Sequence, residues 1–379
     1  MRVLPPVAIA LLLVLCLAAS AQAAERTVPQ GFHGVAYDGP FADASPATQT
    51  EQFNLMVASG VESIRLLFAW EVMQPVKGKT PDFRAMDVKV ALAAGRGIEI
   101  LPQVLYTPYW ARKYKRRAYS PPKRTKDYAG FVRSAMRRYG RKGTFWNDYP
   151  KLPRRPIRQW QLWNEPSLRS YWDAPRKSSY GWPQGYGRLL RGTNKVIKKE
   201  DPGARTVFAG LTGIAWLEMR RAYRFGKVRG HFNVAALQVY PQTVARELEA
   251  IRRLRQELVR ARDGRRSMFV TEVAFPASKG QTKPIRGQTQ QTPNGMASRL
   301  GDLFDTLGER RRRYKLERVY WYTWSSRYLH RGSNFEFSGL LRSRFGTEYK
   351  VQPALEAFQA SAQQAQGCLK SSKWAYCLP

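Results

Sequence analysis

Residues 63–105 read SIRLLFAWEVMQPVKGKTPDFRAMDVKVALAAGRGIEILPQVL, and this stretch decides the fold class. It opens and closes with short apolar runs at 63–69 and 99–105, and an amphipathic segment at 83–94 lies between them. Strands that are covered on both faces show nearly continuous apolar runs, whereas half-exposed strands alternate apolar and polar residues. The stretch therefore predicts a strand, a helix and a second strand of a sheet that is buried on both faces.

The same alternation extends along almost the whole chain. Strands are predicted at 31–37, 63–69, 99–105, 158–163, 205–209, 234–240, 268–274 and 318–323. Helices are predicted at 47–59, 83–94, 126–139, 186–199, 216–227, 243–262, 295–313 and 353–362. Eight strand–helix units in about 335 residues are typical of an α/β fold of the (β/α)8 TIM-barrel type, here as a single domain over residues 24–366. A doubly wound open sheet is the alternative, but no glycine-rich dinucleotide motif follows the first strand.

Composition excludes several classes of protein and points to a class of partner. The chain has 379 residues, of which 43% are hydrophobic and 24% charged, which argues against a disordered, collagen-like or multi-helix membrane protein. It contains 64 Lys and Arg against 28 Asp and Glu, a formal net charge of +36. Such a surface attracts polyanions, namely nucleic acid, anionic cell-envelope polymers or acidic polysaccharides.

The first 23 residues are predicted to be an export signal. Arg2 supplies the positive start, residues 7–19 are apolar, and Ala21-Gln22-Ala23 offers small residues for cleavage. We therefore expect a secreted, extracellular or cell-envelope protein without a membrane segment after cleavage; the alternative is an uncleaved anchor. Leu15 precedes Cys16, where lipid attachment would require a small residue, so no lipoprotein is predicted.

The remaining cysteines, Cys368 and Cys377, lie in a C-terminal tail over residues 367–379. In an exported chain they are expected to form a disulfide, and two free thiols are the alternative. His33, His231 and His330 are too widely spaced to predict a metal site. The sequence predicts neither a metal nor a cofactor.

Two acidic residues stand at strand ends. Glu165 follows the fourth predicted strand, and Glu272 interrupts the apolar run of the seventh. Chemistry in these barrels occurs at the C-terminal ends of the strands. The acids are 107 residues apart, about three strand–helix units, so we expect them to face each other across the barrel mouth. The alternative for each is a structural carboxylate.

Two facing carboxyl groups among aromatic side chains suit the hydrolysis of a glycosidic bond. One must be protonated to assist the leaving oxygen, and the other must be ionised to attack or stabilise the sugar cation. Apolar walls raise the pKa of the first, while hydrogen bonds and cations keep the second ionised. Arg65 in the second predicted strand is the candidate cation.

The run Trp163-Asn164-Glu165-Pro166 resembles the acid/base motif of clan A glycoside hydrolases, which are retaining (β/α)8 enzymes. The longer run 163–168 is similar to the β-xylosidase and α-L-iduronidase family, family 39; cellulase-type family 5 enzymes share the catalytic set. Further motifs accompany it: Arg65, Thr107-Pro108-Tyr109-Trp110, Gln238-Val239-Tyr240, Thr271-Glu272, Trp321-Tyr322-Thr323-Trp324 and Phe337-Ser338-Gly339-Leu340-Leu341.

The resemblance implies a role for each matching residue. Glu165 would be the general acid and then the general base, and Glu272 would be the nucleophile. Asn164 would bind the sugar 2-hydroxyl. Tyr240 and Arg65 would orient Glu272 and keep it ionised, and Trp324 would form the floor beneath the reacting sugar. The chain departs from many clan members after the third strand, where Tyr106-Thr107 replaces a His-Asn or similar polar pair, so its sugar contacts there must differ.

Three further features border the predicted cleft. Trp172 belongs to a loop with Tyr171, Tyr180, Trp182 and Tyr186, and it is expected to contact substrate unless the loop packs on itself. His33 is a candidate sugar contact or a core histidine. The basic stretch 112–126 suggests an acidic glycan, or simply a solvated loop.

These observations predict a secreted retaining O-glycosyl hydrolase that acts on a polysaccharide or oligosaccharide, including an acidic one. The alternative is a catalytically silent carbohydrate-binding barrel of the cell envelope. A specific nucleic-acid binder has only the net charge in its favour, and no binding motif accompanies it. The motifs leave the sugar, the linkage and the oligomeric state open.

Overall fold

In the computed structural model, the described residues are 25–175, 178–283, 290–329 and 333–367. The strands are β1 (His33–Ala36), β2 (Ser63–Ala69), β3 (Glu99–Leu105), β4 (Gln159–Leu162), β5 (Arg205–Val207), β6 (Val234–Val239), β7 (Ser267–Val273) and β8 (Leu316–Trp321). The main helices are α1 (Pro46–Ala58), α2 (Arg84–Gly95), α3 (Thr125–Tyr139), α4 (Gln184–Glu200), α5 (Ala215–Arg221), α6 (Val244–Arg260), α7 (Pro293–Tyr314) and α8 (Pro353–Gln366). Each predicted strand and helix is confirmed, with ends that move by a few residues.

The eight strands form a closed barrel in chain order, and every neighbouring pair is parallel. Closure joins β8 to β1, where His33 pairs with Val319 and Val35 with Trp321. The (β/α)8 prediction is therefore confirmed, and the open doubly wound sheet is excluded.

Each helix packs an apolar stripe onto the barrel. In α6, the hydroxyl of Thr243 accepts a hydrogen bond from the amide of Arg246 and begins the helix. The buried residues Ile251, Leu254 and Leu258 follow at spacings of three and four, which places them on one helical face. The many arginines of the helix therefore fall mostly on its outer side.

The barrel interior has an apolar level and a polar level. The apolar level is a separate cluster of buried side chains: Leu101, Val207, Val234, Ala236, Phe269 and Tyr320. Polar side chains follow towards the C-terminal ends of the strands. Along β6, for example, Ala236 belongs to the apolar level and Gln238, two residues on, to the polar one. Alternate residues of a strand face the same side, so the position of a polar residue along its strand determines its height in the barrel interior.

The connections after β8 contain structure that the sequence did not predict. Short strands at Ser325–Ser326, Leu341–Arg342 and Lys350–Val351 form a separate three-stranded sheet. Within the described ranges, no helix is long and apolar enough to cross a membrane. The predicted signal segment 1–23 and the predicted pair Cys368 and Cys377 lie outside the described residues.

Candidate active site

Arg65 is the centre of a hydrogen-bond network at the C-terminal end of the barrel. Its side chain is 4% exposed. Nη1 donates to Glu272 Oε1 (2.6 Å), Nη2 to Asn164 Oδ1 (2.8 Å) and Nε to Gln161 Oε1 (2.7 Å). A planar guanidinium can serve three acceptors at fixed angles, which the ammonium of a lysine cannot do. Arg65 therefore fixes side chains from β4 and β7 relative to one another.

Besides the hydrogen bond from Arg65, each carboxylate oxygen of Glu272 accepts one further hydrogen bond. Gln238 Nε2 donates to its Oε1 (2.8 Å), and the Tyr240 hydroxyl donates to its Oε2. Register explains the first contact, because a β-bulge between Leu237 and Gln238 places Gln238 directly opposite Glu272. Donors and a cation favour the ionised form of a carboxyl group. Glu272 is therefore placed to act as a carboxylate.

Glu165 occupies a different environment. It is half-buried, and the described contacts give its carboxyl group no ion pair. Burial raises the pKa of Glu165 to about 8; the charge of Glu272 adds to this, Arg65 opposes it, and Glu218 contributes a smaller increase. The carboxyl group therefore keeps its proton at neutral pH. The two acids therefore differ in the way that one proton donor and one carboxylate require.

The backbone bends sharply where Glu165 leaves β4. Trp163 has φ of 76° and Glu165 has φ of 31°, values that residues other than glycine seldom adopt. The Glu165 amide donates to the carbonyl of Gly210 (3.0 Å), and Asn164 bridges to the same glycine. Such conformations persist where the surrounding structure fixes them, and they concentrate at functional sites.

Asn164 is anchored through its oxygen. Oδ1 accepts from Arg65 Nη2 and from Gln238 Nε2, both at 2.8 Å. Those contacts identify the other side-chain atom as the amide nitrogen, Nδ2. It forms no hydrogen bond with any described residue. Asn164 thus presents N–H donors beside both acids.

A third carboxyl group, that of Asp38, lies at the end of β1. Its carboxylate contacts the hydroxyl of Thr323 and interacts with Tyr322, both of which follow β8. Burial raises the pKa of Asp38 to about 6, against the hydrogen bond of Thr323, and the charge of Glu272 adds to the increase. Asp38 is half-buried, so solvent reaches part of the residue.

The prediction that Trp324 forms the floor of the sugar site is wrong. Trp324 is fully buried, and its indole Nε1 donates to Gln52 Oε1 of α1 (2.9 Å). The half-buried Tyr322 lies at the site instead, with its ring 6.0 Å from that of Tyr240. Because β8 ends at Trp321, its alternation of faces does not continue to residue 324.

Trp172 is also not placed as the substrate contact that we predicted. It is 4% exposed and packs edge-on against Trp163 and Tyr186, while its Nε1 donates to the carbonyl of Tyr180 (2.6 Å). Trp182 is packed against the same Tyr186 ring. The aromatic loop thus forms a small core of its own, which was the alternative interpretation.

His33 is a core residue and not a sugar contact. Its side chain is fully buried, stacks on Phe304 of α7 at 5.0 Å and lies edge-on to Phe358 of α8. It therefore points out of the barrel towards the helices. Burial lowers its pKa to about 3, with a smaller contribution from Arg26, so the ring is neutral.

The basic stretch 112–126 lies on the same side of the barrel as the acids, because it follows β3. Some of its cations are paired, as in Arg112 with Glu71 (3.0 Å) and Arg117 with Asp173 (2.6 Å). Others lie over tyrosine rings: Lys113 over Tyr180 at 4.7 Å and Lys115 over Tyr109 at 4.8 Å. The latter two have no carboxylate partner among the described residues.

The structure brings together Glu165, Glu272, Arg65, Asn164 and Tyr240, and their roles towards a sugar stay predictions. No role was predicted for Gln161, Gln238, Tyr322 or Asp38. The two glutamines did carry a signal, since each is a polar residue within an apolar strand. Within the described ranges, no group of three or more His, Cys, Asp or Glu residues could hold a metal ion.

No protein-family model matches this chain, and no curated protein matches it. Solved structures do. A family 39 glycoside hydrolase from Bacteroides cellulosilyticus WH2 superposes with a TM-score of 0.64 at 20% identity, over 89% of this chain and 64% of that one. The chain therefore spans less than two thirds of that enzyme.

Two further solved structures are similar in fold. A monomeric β-xylosidase from Caulobacter crescentus CB15 gives a TM-score of 0.62 at 14% identity, over 89% of this chain and 69% of that one. A GH5_18 protein from Streptomyces cattleya, solved in complex with GlcNAc, gives 0.64 at 15% identity, over 91% and 82%. At these identities the likeness establishes the barrel fold, and it agrees with the resemblance to families 39 and 5.

Proposed function

We propose that this protein is a secreted retaining glycosidase that hydrolyses O-glycosidic bonds of an acidic polysaccharide or oligosaccharide. One observation carries the proposal: two carboxyl groups at the barrel mouth lie in opposite environments. Glu272 is held by a buried arginine, an amide and a phenol. Glu165 has no such partners among the described residues, and burial raises its pKa to about 8.

In the first step, Glu165 donates its proton to the glycosidic oxygen as that bond breaks. A Glu272 oxygen attacks the anomeric carbon and forms a glycosyl-enzyme ester, and the leaving alcohol departs. In the second step, Glu165, now ionised, removes a proton from water, whose oxygen attacks the same carbon. The sugar leaves with its original anomeric configuration, and Glu272 is released as a carboxylate.

The remaining residues of the site support this chemistry. Arg65 and Gln238 hold one oxygen of Glu272, so the carboxylate is oriented before substrate binds. The side-chain N–H groups of Asn164 are placed to donate to the sugar 2-hydroxyl, a contact that strengthens at the transition state. Tyr322 offers a half-buried ring beside Tyr240 for the apolar face of a sugar.

The acidic character of the substrate is proposed from charge. Lys113 and Lys115 lie over tyrosine rings in the loop after β3 and lack carboxylate partners among the described residues. The net charge of +36 gives the whole surface the same sign. Tyrosine rings beside lysines suit a sugar polymer that carries negative charge. The export proposal depends on residues 1–23, and an oxidising compartment would allow the pair Cys368 and Cys377 to form a disulfide.

Digestion of a panel of neutral and acidic polysaccharides tests the proposal, with proton NMR of the first product to establish its anomeric configuration. We expect at least one acidic glycan to be cleaved with retention, and Glu165→Gln and Glu272→Gln to abolish cleavage while the protein stays folded. Glu249→Gln, at a half-exposed position of an outer helix, is the matched control. Wild-type cleavage by Glu272→Gln would contradict the assignment, and binding without hydrolysis across the panel would favour the silent carbohydrate-binding barrel.

A further inference from the structure

We propose that Asp38 binds the hydroxyl groups of the sugar that becomes attached to Glu272 and selects a neutral sugar at that position. This inference rests on the proposed function. It refines the substrate to an acidic glycan in which the residue on the non-reducing side of the cleaved bond is uncharged. That residue is called the glycone below.

The position of Asp38 places it on the glycone side. It follows β1, and its partners Thr323 and Tyr322 follow β8, the strand that closes the barrel against β1. In the closed barrel β8 separates β1 from β7, which carries Glu272, whereas β2 and β3 separate β1 from β4, which precedes Glu165. Since the retaining mechanism attaches the glycone to the nucleophile, a residue on the Glu272 side of the barrel mouth is placed to contact that sugar.

The carboxylate of Asp38 has few donors. The Thr323 hydroxyl contacts the Asp38 carboxylate and also lies 2.8 Å from the carbonyl oxygen of Ala36. This hydroxyl has one proton to share between the two acceptors. Tyr322 supplies one further hydroxyl. Among the described residues, no cation forms an ion pair with Asp38. A carboxylate can accept about four hydrogen bonds, so at least two positions are left for sugar hydroxyls.

An aromatic wall stands beside this carboxylate. The Tyr240 ring lies 4.4 Å from that of Phe335 and 6.0 Å from that of Tyr322. Both Tyr322 and Phe335 are half-buried, so each is partly open to solvent. A pyranose has an apolar C–H face and a rim of hydroxyls. The wall suits the face, and Asp38 suits the rim.

Charge then decides between a neutral and an acidic glycone. Among the described residues, the cation whose charge acts on both Asp38 and Glu272 is Arg65, which already forms three hydrogen bonds. A uronate at this position would bring a further negative charge beside Asp38 and Glu272, for which the described residues provide no ion-pair partner besides Arg65. Its carboxylate also has no proton to donate to Asp38. Two lysines without carboxylate partners among the described residues, Lys113 and Lys115, belong to the loop after β3. Acidic residues of the polymer therefore belong outside the glycone position.

Binding of matched inhibitors tests this inference separately from catalysis. Isothermal titration calorimetry at pH 7.5 measures the binding of paired iminosugars of gluco, galacto and manno configuration. One member of each pair has a hydroxymethyl group at C6, and the other has the corresponding carboxylic acid. We expect the neutral member of at least one pair to bind more than 10-fold tighter than its acid. Asp38→Asn, which removes the charge and keeps the shape, should weaken the neutral inhibitor by about 10- to 100-fold and reduce the preference to near unity.

Asp43→Asn is the matched control, because Asp43 lies on the same β1–α1 connection and is 98% exposed. It should leave both affinities unchanged, and a thermal denaturation curve should show that Asp38→Asn is folded. The inference is overturned if the acidic members bind as well as the neutral ones, if Asp38→Asn keeps the wild-type preference, or if no member of any pair binds. Hydrolysis of the glycan panel with unchanged selectivity in Asp38→Asn would refute this inference and leave the proposed function standing.

Discussion

Replacement of Arg65 by methionine tests how the site holds its nucleophile. Arg65 and Glu272 form an ion pair with N···O of 2.6 Å, and their side chains are only 4% and 11% exposed. Removal of one partner of a buried pair leaves the other charge uncompensated, at a cost of about 3–5 kcal/mol. If the transition state depends on that carboxylate, kcat/KM should fall by about 100- to 1,000-fold or more, since about 1.4 kcal/mol corresponds to a factor of ten.

The chain provides a well-matched control. Arg84 and Asp82 form an ion pair of the same length, 2.6 Å, but their side chains are 90% and 50% exposed. Arg84→Met should therefore leave both kcat/KM and the melting temperature unchanged, because solvent screens an exposed pair. Arg65→Lys should lose less activity than Arg65→Met, since it keeps the charge but not the contacts with Asn164 and Gln161. Kinetics on the most rapidly cleaved aryl glycoside measure these losses. Equal activity of Arg65→Met and Arg84→Met would show that the buried ion pair does not hold the nucleophile.

Three more predictions follow from the same geometry. Glu165 must be protonated for the first step and its pKa is raised to about 8, so kcat/KM should fall as pH rises through about 8. Glu218→Gln should move this fall to lower pH, because the charge of Glu218 contributes to the raised pKa of Glu165. A pH profile of Glu218→Gln that matches the wild type would contradict this. Tyr240→Phe removes a hydrogen bond to a carboxylate and should lower kcat/KM by about 10- to 100-fold with little change in melting temperature, whereas an unchanged kcat/KM would exclude an orienting role. Glu165→Gln should have a higher melting temperature than wild type at pH 8 but not at pH 4. An acid whose pKa is raised by folding destabilises the fold once pH exceeds its pKa in the unfolded chain, near 4.5. Equal melting temperatures of the two proteins at pH 8 as well as at pH 4 would contradict the burial of Glu165 as the cause.

Much of the architecture could be predicted because barrel strands carry a strong local signal. The runs 63–69 and 99–105 coincide with β2 and β3, since a strand buried on both faces is apolar throughout. Glu165 and Glu272 could be assigned to one site because strand order in the barrel follows chain order, so positions at strand ends map onto the mouth. Arg65 could be predicted because it is a charged residue within an apolar strand, and such a strand is buried on both faces.

The errors lie where the backbone departs from regular structure. Trp324 follows the end of β8, where alternation of faces no longer applies, and its indole turns to Gln52 of α1. Trp172 lies in a loop whose aromatic rings pack on one another, and composition alone does not distinguish such a core from a binding surface. Asp38 could not be assigned, because its role depends on Thr323, 285 residues later, through the closure of β8 onto β1.

The central claim is that Glu272 forms a covalent bond with the sugar. Incubation with a panel of activated 2-deoxy-2-fluoro glycosides, which slow the second step more than the first, followed by intact-mass measurement and peptide mapping, tests it directly. We predict a mass increase of one fluoroglycosyl group located on Glu272 and absent from Glu272→Gln. Hydrolysis of natural substrates without any such adduct, or an adduct on another carboxylate such as Asp38, would contradict the account.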